Sequence, residues 1–186
     1  MNKKILIIGS PGAGKSVLAK RLHDKLGIEL IHLDQYYWKP NWIKPESDQW
    51  ERTIQDLLKK VSFIMDGNYR STLHLRLPIA NTIIFLDPSR FTCFYRIIKR
   101  RLTKNREDDI SGCEERISWD LVRWVLWRYP QVARKDILQK LKNLKTSNPD
   151  KTVVILQAKK EVDVFLQSFF KIQEMNQYYE LRRNNN

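Results

Sequence analysis

Short apolar runs closed by Gly or Asp alternate with stretches of helical spacing, and that alternation sets the expected fold. Ile5-Leu6-Ile7-Ile8 is a β-branched run ended by Gly9 and reads as a buried parallel strand. From Gly14 to Leu26, the residues Val17, Leu18, Leu22 and Leu26 recur at helical spacing, with Gly27 as the stop. A second strand is predicted over 28–33, ending at Asp34, and a helix over 46–60. Strands over 61–65 and 82–86 end at Asp66-Gly67 and Asp87-Pro88. A helix over 90–104 carries Phe91, Phe94, Tyr95, Ile98 and Leu102 on its apolar stripe. Polar residues 105–112 read as a loop, followed by helices near 114–128 and 131–145. A fifth strand covers 152–156, and a last helix runs from 160 to about 177. Residues 182–186 read as a frayed, disordered tail. Five strands separated by helices imply an α/β domain over 1–181, with a parallel sheet covered on both faces.

Composition narrows the partner more than the fold. The 186 residues carry 34 Lys+Arg against 21 Asp+Glu, a formal charge of +13. The net is +7 over 91–145, against +5 over 1–90 and +1 over 146–186. The positive charge is interleaved with apolar residues, so a basic helical region is expected rather than a nucleic-acid tail. The partner should be anionic: a phosphorylated small molecule or a nucleic acid. No apolar run approaches the roughly 20 residues of a membrane span. The N-terminus is too short in apolar residues for a signal peptide. Cys93 and Cys113 form neither CxxC nor metal-ligand spacing, so a reduced cytoplasmic setting is expected.

One motif is specific. Gly9-Ser10-Pro11-Gly12-Ala13-Gly14-Lys15-Ser16 matches GxxxxGK[ST], with a predicted strand before it and a helix after it. Glycines let successive backbone N–H groups and the helix N-terminus point at phosphates. Lys15 neutralises β- and γ-phosphate charge, and the Ser16 hydroxyl takes one position on Mg²⁺. Residues 9–17, Val17 included, are therefore the expected nucleotide-binding segment of a three-layer P-loop NTPase fold. A GTPase should carry NKxD, and a motor ATPase adjacent Asp-Glu after an apolar strand; neither is present. What remains is a compact kinase with a helical lid over about 105–116.

Further residues point the same way. The chain resembles the adenylate-kinase-type small P-loop kinases and, more closely, the bacterial DNA topology modulation proteins. The resemblance rests on GSPGAGKS, His32-Leu33-Asp34 with Trp38-Lys39-Pro40-Asn41-Trp42, and Met65-Asp66-Gly67-Asn68-Tyr69. It extends through Thr72 with Arg76, Ile83 to Asp87, Tyr95-Arg96, and Arg100-Arg101-Leu102. Gly112-Cys113, Glu115-Arg116, and Trp124 with Tyr129-Pro130 complete it. It implies ATP, rather than GTP, as donor, a small-molecule acceptor and a monomer or homodimer. The family name keeps nucleotide-dependent DNA binding as the alternative.

Candidate side chains follow from this. The resemblance gives Asp34 the task of orienting or deprotonating an acceptor hydroxyl, or of helping to hold Mg²⁺ through water. His32, on the same strand face, reads as a packed or hydrogen-bonded histidine rather than a base. Asp66 ends its strand as a metal-holding aspartate does, with Gly67-Asn68 turning the chain under the acceptor. Asp87 also ends an apolar strand and competes for that role, but Asp87-Pro88-Ser89 reads more simply as a turn and helix start, so Asp66 is favoured. Arg101, at the edge of the apolar stripe, and Arg106 in the loop are the candidates to stabilise the transferring phosphoryl group. Arg96 and Arg100 fall on the opposite, solvated face. Arg76 and Arg116 are weaker candidates for an acceptor's anionic group. Tyr36, Tyr37, Trp38 and Trp42 either stack on a ring-bearing acceptor or pack the helices around it. Trp124 and Trp127 read as core.

Overall fold

A computed structural model describes residues 3–103 and 118–184. The lid region 105–116, with Arg106, Cys113 and Arg116, lies outside the described residues. Five strands form one all-parallel sheet in the order β2-β3-β1-β4-β5: β1 Lys4–Gly9, β2 Leu30–His32, β3 Phe63–Asp66, β4 Thr82–Leu86 and β5 Thr152–Leu156. β1 is central, with Ile7 in register with Asp66 on one side and Ile84 on the other. That position explains its unbroken apolar run, since both faces of the strand are covered.

Alternation along β1 assigns the helices to layers. Leu6 and Ile8 face a core shared with α3 (Ser47–Leu58), α4 (Leu73–Ile79) and α7 (Arg134–Ser147). Ile5 and Ile7 face the other core, with α1 (Lys15–Leu26), α5 (Arg90–Thr103) and α8 (Lys159–Asn184). The expected three-layer architecture is the one observed. Among the described residues, no helix is long and apolar enough to cross a membrane.

Several expected elements are different. The second strand stops at His32, and Leu33–Tyr37 is a short helix, α2, so Asp34 sits in a first helical turn rather than at a strand end. Arg70–Thr72 is a 3₁₀ turn leading into α4, where no element was expected. The two helices foreseen over 114–128 and 131–145 are one run. It begins with α6 (Trp119–Arg123), passes through a π-helix (Trp124–Ala133) and continues as α7. Pro130 has no N–H to offer an α-helical ladder, and the wider π turns absorb it without ending the helix. α8 stays helical to Asn184, where fraying from 182 was expected.

The apolar stripe of α5 is also displaced. Its buried residues are Cys93 and Ile97, while Phe91, Tyr95 and Leu102 are exposed. The buried face therefore lies one residue earlier, about 100° round the helix. The cause is the phosphate loop, since a Cβ at Gly12 would strike the Cys93 carbonyl. A face approached that closely suits a small residue such as Cys93.

Candidate functional site

Each phosphate-loop residue is set by backbone contacts. Gly9 closes β1 where a Cβ would strike the Leu86 carbonyl oxygen of β4. Gly12 has φ 76, in the left-handed region that glycine adopts without strain. α1 begins directly after the loop at Lys15, so its N-terminal N–H groups open toward the loop. Lys15 Nζ donates to the Ser10 carbonyl at 3.2 Å, folding the side chain back over the loop. Arg96 comes from α5, 83 positions away, and its Nη1 donates to the Ala13 carbonyl at 2.9 Å. The displaced stripe brings Arg96 beside the loop, which corrects its expected place on the solvated face.

The C-terminal ends of β1, β2 and β3 open on one cleft of about 2370 Å³. A single small-ligand site occupies about 300–1,000 Å³, so donor and acceptor can share this one. Lys15, Ser16, Asp34, Trp38, Asp66, Asn68 and Arg101 all line it. Arg100, also expected in solvent, lines it too. Val17 lines the cleft and is itself exposed; Ser10 is buried beneath the loop.

At the ends of β2 and β3, Tyr69 donates its hydroxyl to Asp34 Oδ1 at 2.6 Å. Burial, then the adjacent Asp34 charge, pushes the Tyr69 phenol far above its usual range, so it remains a donor to the carboxylate. Asp66 is buried at the end of β3, and His32 is its register partner across the sheet. His32 Nδ1 lies 3.0 Å from Asp66 Oδ2, a bond made when Nδ1 carries the proton. This is the hydrogen-bonded histidine that was expected, and its ring also lines the cleft.

Arg76 does not line the cleft. It is fully buried and donates to the carbonyls of Gly67 at 2.9 Å and Tyr69 at 2.5 Å. Burial lowers its pKa to about 9. These bonds fix the turn that carries Asn68 and Tyr69 into the cleft, and Arg76 itself does not reach the cleft, where it was expected. Asp87 is likewise committed: Arg134 Nε and Nη2 grip both its oxygens at 2.8–3.0 Å.

Three contributors were not singled out. Tyr69 was legible only as the neighbour of Asp66-Gly67-Asn68. Arg70, which lines the cleft and pairs with Asp136, lies in the unforeseen 3₁₀ turn. Trp127 was read as core, yet it is 54% exposed and lines the cleft from the π-helix.

No family model matches the chain, and no curated protein matches it. Solved structures do. The shikimate kinase from Acinetobacter baumannii in complex with shikimate aligns with TM-score 0.55 at 15% identity, covering 94% of this chain and 94% of that one. The shikimate kinase from Bacteroides thetaiotaomicron gives 0.51 at 15%, covering 92% and 98%. A sugar kinase from Janibacter sp. HTCC2649 gives 0.50 at 15%, covering 90% and 94%. At such identities the likeness is one of fold: the chain has the kinase-like P-loop NTPase fold of the shikimate-kinase type.

Proposed function

We propose that the chain is an ATP-dependent phosphotransferase acting on a small acceptor, related to the DNA topology modulation proteins that its motifs resemble. The observation that carries this reading is the shared cleft, which is lined by the glycine-rich loop and by a carboxylate fixed by a partly buried tyrosine. Residues 9–17 would hold the phosphates, with Lys15 turned from Ser10 onto them and Arg96 bracing the loop. Mg²⁺ fits the donors: it prefers oxygen, needs only one or two protein ligands and takes the rest from phosphates and water. Ser16 and Asp66 supply those oxygens from one cleft, and the ion would neutralise charge between the phosphates.

Asp34 would orient the acceptor hydroxyl and take its proton on the oxygen not engaged by Tyr69. Arg101 would stabilise the phosphoryl oxygens from the cleft wall. A screen of ATP consumption against nucleotides, sugars and hydroxy acids tests the reading. Acceptor-dependent ADP formation is expected, lost in Lys15→Ala; near-normal turnover in that variant overturns the mechanism.

The charge favours a second reading, nucleotide-dependent DNA binding. Arg101, Arg123 and Arg128 line the cleft in the most basic stretch of the chain. This reading requires strongly salt-dependent DNA affinity that responds to ATP. Absent or salt-insensitive binding removes it.

A further inference from the structure

The acceptor end of the cleft is walled by aromatic rings in an unusual backbone setting. The loop after α2 is closed by a backbone bond from Lys39 N to the Ile43 carbonyl at 3.0 Å. Within it, Asn41 and Trp42 are consecutive non-glycine residues with φ 63 and 60. Two left-handed residues in succession are a costly conformation, and such strain concentrates at ligand-binding sites. Here it sets Trp42 against Trp38, with ring centroids 5.3 Å apart, and Trp38 in turn against Tyr37 at 4.9 Å.

Tyr37 continues the series inward to Trp50 and Tyr69. Packing accounts for the inner rings, since Trp50 is only 3% exposed. Trp42, at the outer end of the series, lines the cleft at 38% exposure.

Charge adds a second property. Among the described residues, eleven Lys and Arg side chains line the cleft against four Asp, more than one Mg·ATP requires. Two of them stand at the aromatic end. Lys44 Nζ lies 6.0 Å from the Trp38 ring centroid, and Arg70 reaches the cleft from the turn that follows Tyr69.

We infer that the acceptor is a planar-ring compound bearing an anionic group. Its ring stacks on the Trp38–Trp42 wall and its phosphate or carboxylate lies toward Lys44 and Arg70, with a hydroxyl or phosphate oxygen toward Asp34. This rests on the phosphotransferase reading. Stacking on an aromatic side chain is worth about a tenfold change in affinity.

Isothermal titration calorimetry of the full chain tests the inference. One arm uses nucleoside 5′-monophosphates and another 4-hydroxybenzoate, so the two sources of ring and anion are told apart. Uncharged nucleosides, glucose and shikimate complete the panel. A non-hydrolysable ATP analogue is titrated separately. The expected result is saturable binding in one ring-plus-anion arm, weakened about tenfold by Trp42→Ala, restored by Trp42→Phe and weakened by Lys44→Ala. Uncharged nucleosides should bind more weakly, without dependence on Lys44. Binding of glucose or shikimate alone, no binding in either ring-plus-anion arm, or equal affinity in Trp42→Ala overturns the inference. Loss of ATP-analogue binding in the wild type instead overturns the phosphotransferase reading beneath it.

Discussion

The two sides of the cleft are built by different means. The proposed phosphate side is backbone: the eight consecutive residues 9–16, from the last residue of β1 into the start of α1, shaped by glycines and set against the carbonyls of Leu86 and Cys93. The acceptor side is side chains from separate segments: Asp34 on α2, Trp42 on its loop, Tyr69 beyond β3 and Trp127 on the π-helix. A backbone site binds what is common to all nucleotides. A side-chain site can be re-specified one residue at a time while the phosphate side stays intact.

This difference separates the kinetic constants, and substitutions can break or sharpen it. The largest effect is expected from Lys15→Ala, which should bring phosphoryl transfer to background in a radiolabelled-ATP assay while thermal stability is unchanged. Asp34→Asn should lower kcat by about 10²–10⁴-fold, the usual contribution of a positioned acid or base. Its affinity for an ATP analogue should stay as in the wild type, because the residue stands on the other side. Arg96→Ala should raise KM for ATP about tenfold by freeing the Ala13 carbonyl, as expected for a lost charged hydrogen bond. The acceptor KM should hold; a matching rise there would erase the division of labour.

The smallest effect concerns stability. Asp136 is held below the usual carboxylate range, first by the Lys140 hydrogen bond and further by Arg70. A carboxyl with a depressed folded pKa contributes stability above its unfolded value, and that contribution is lost as pH falls through the folded value. Urea melts should therefore show Asp136→Asn destabilised near neutrality, with the difference shrinking as pH falls below about 4, the ordinary value for Asp. A constant offset across that range would show that the ion pairs contribute nothing.

The same division explains what the chain made legible. β4 and β5 occupy their expected bounds because continuous β-branched runs between breakers leave little ambiguity. The phosphate loop is legible because the motif is a run of consecutive backbone, marked by glycines. α5 misled because periodicity weighs large apolar residues, whereas the buried face was decided by the loop's approach to Cys93. Arg96 was misplaced for the same reason. Arg76 looked like a ligand-binding cation but serves two backbone carbonyls, a pairing visible only once the Gly67–Tyr69 turn is in place. The π-helix was hidden by Pro130, which ordinarily marks a helix boundary.

The central claim is that this backbone cradle binds a nucleotide's phosphates in the cleft that holds Asp34. The most direct measurement is calorimetric titration of Mg·ATP into the wild type and Gly12→Ala, where the added methyl meets the Cys93 carbonyl. Saturable one-to-one binding by the wild type, lost or weakened at least tenfold in Gly12→Ala with the fold retained by circular dichroism, is expected. Equal affinity in the two proteins, or no binding by the wild type, would contradict the account.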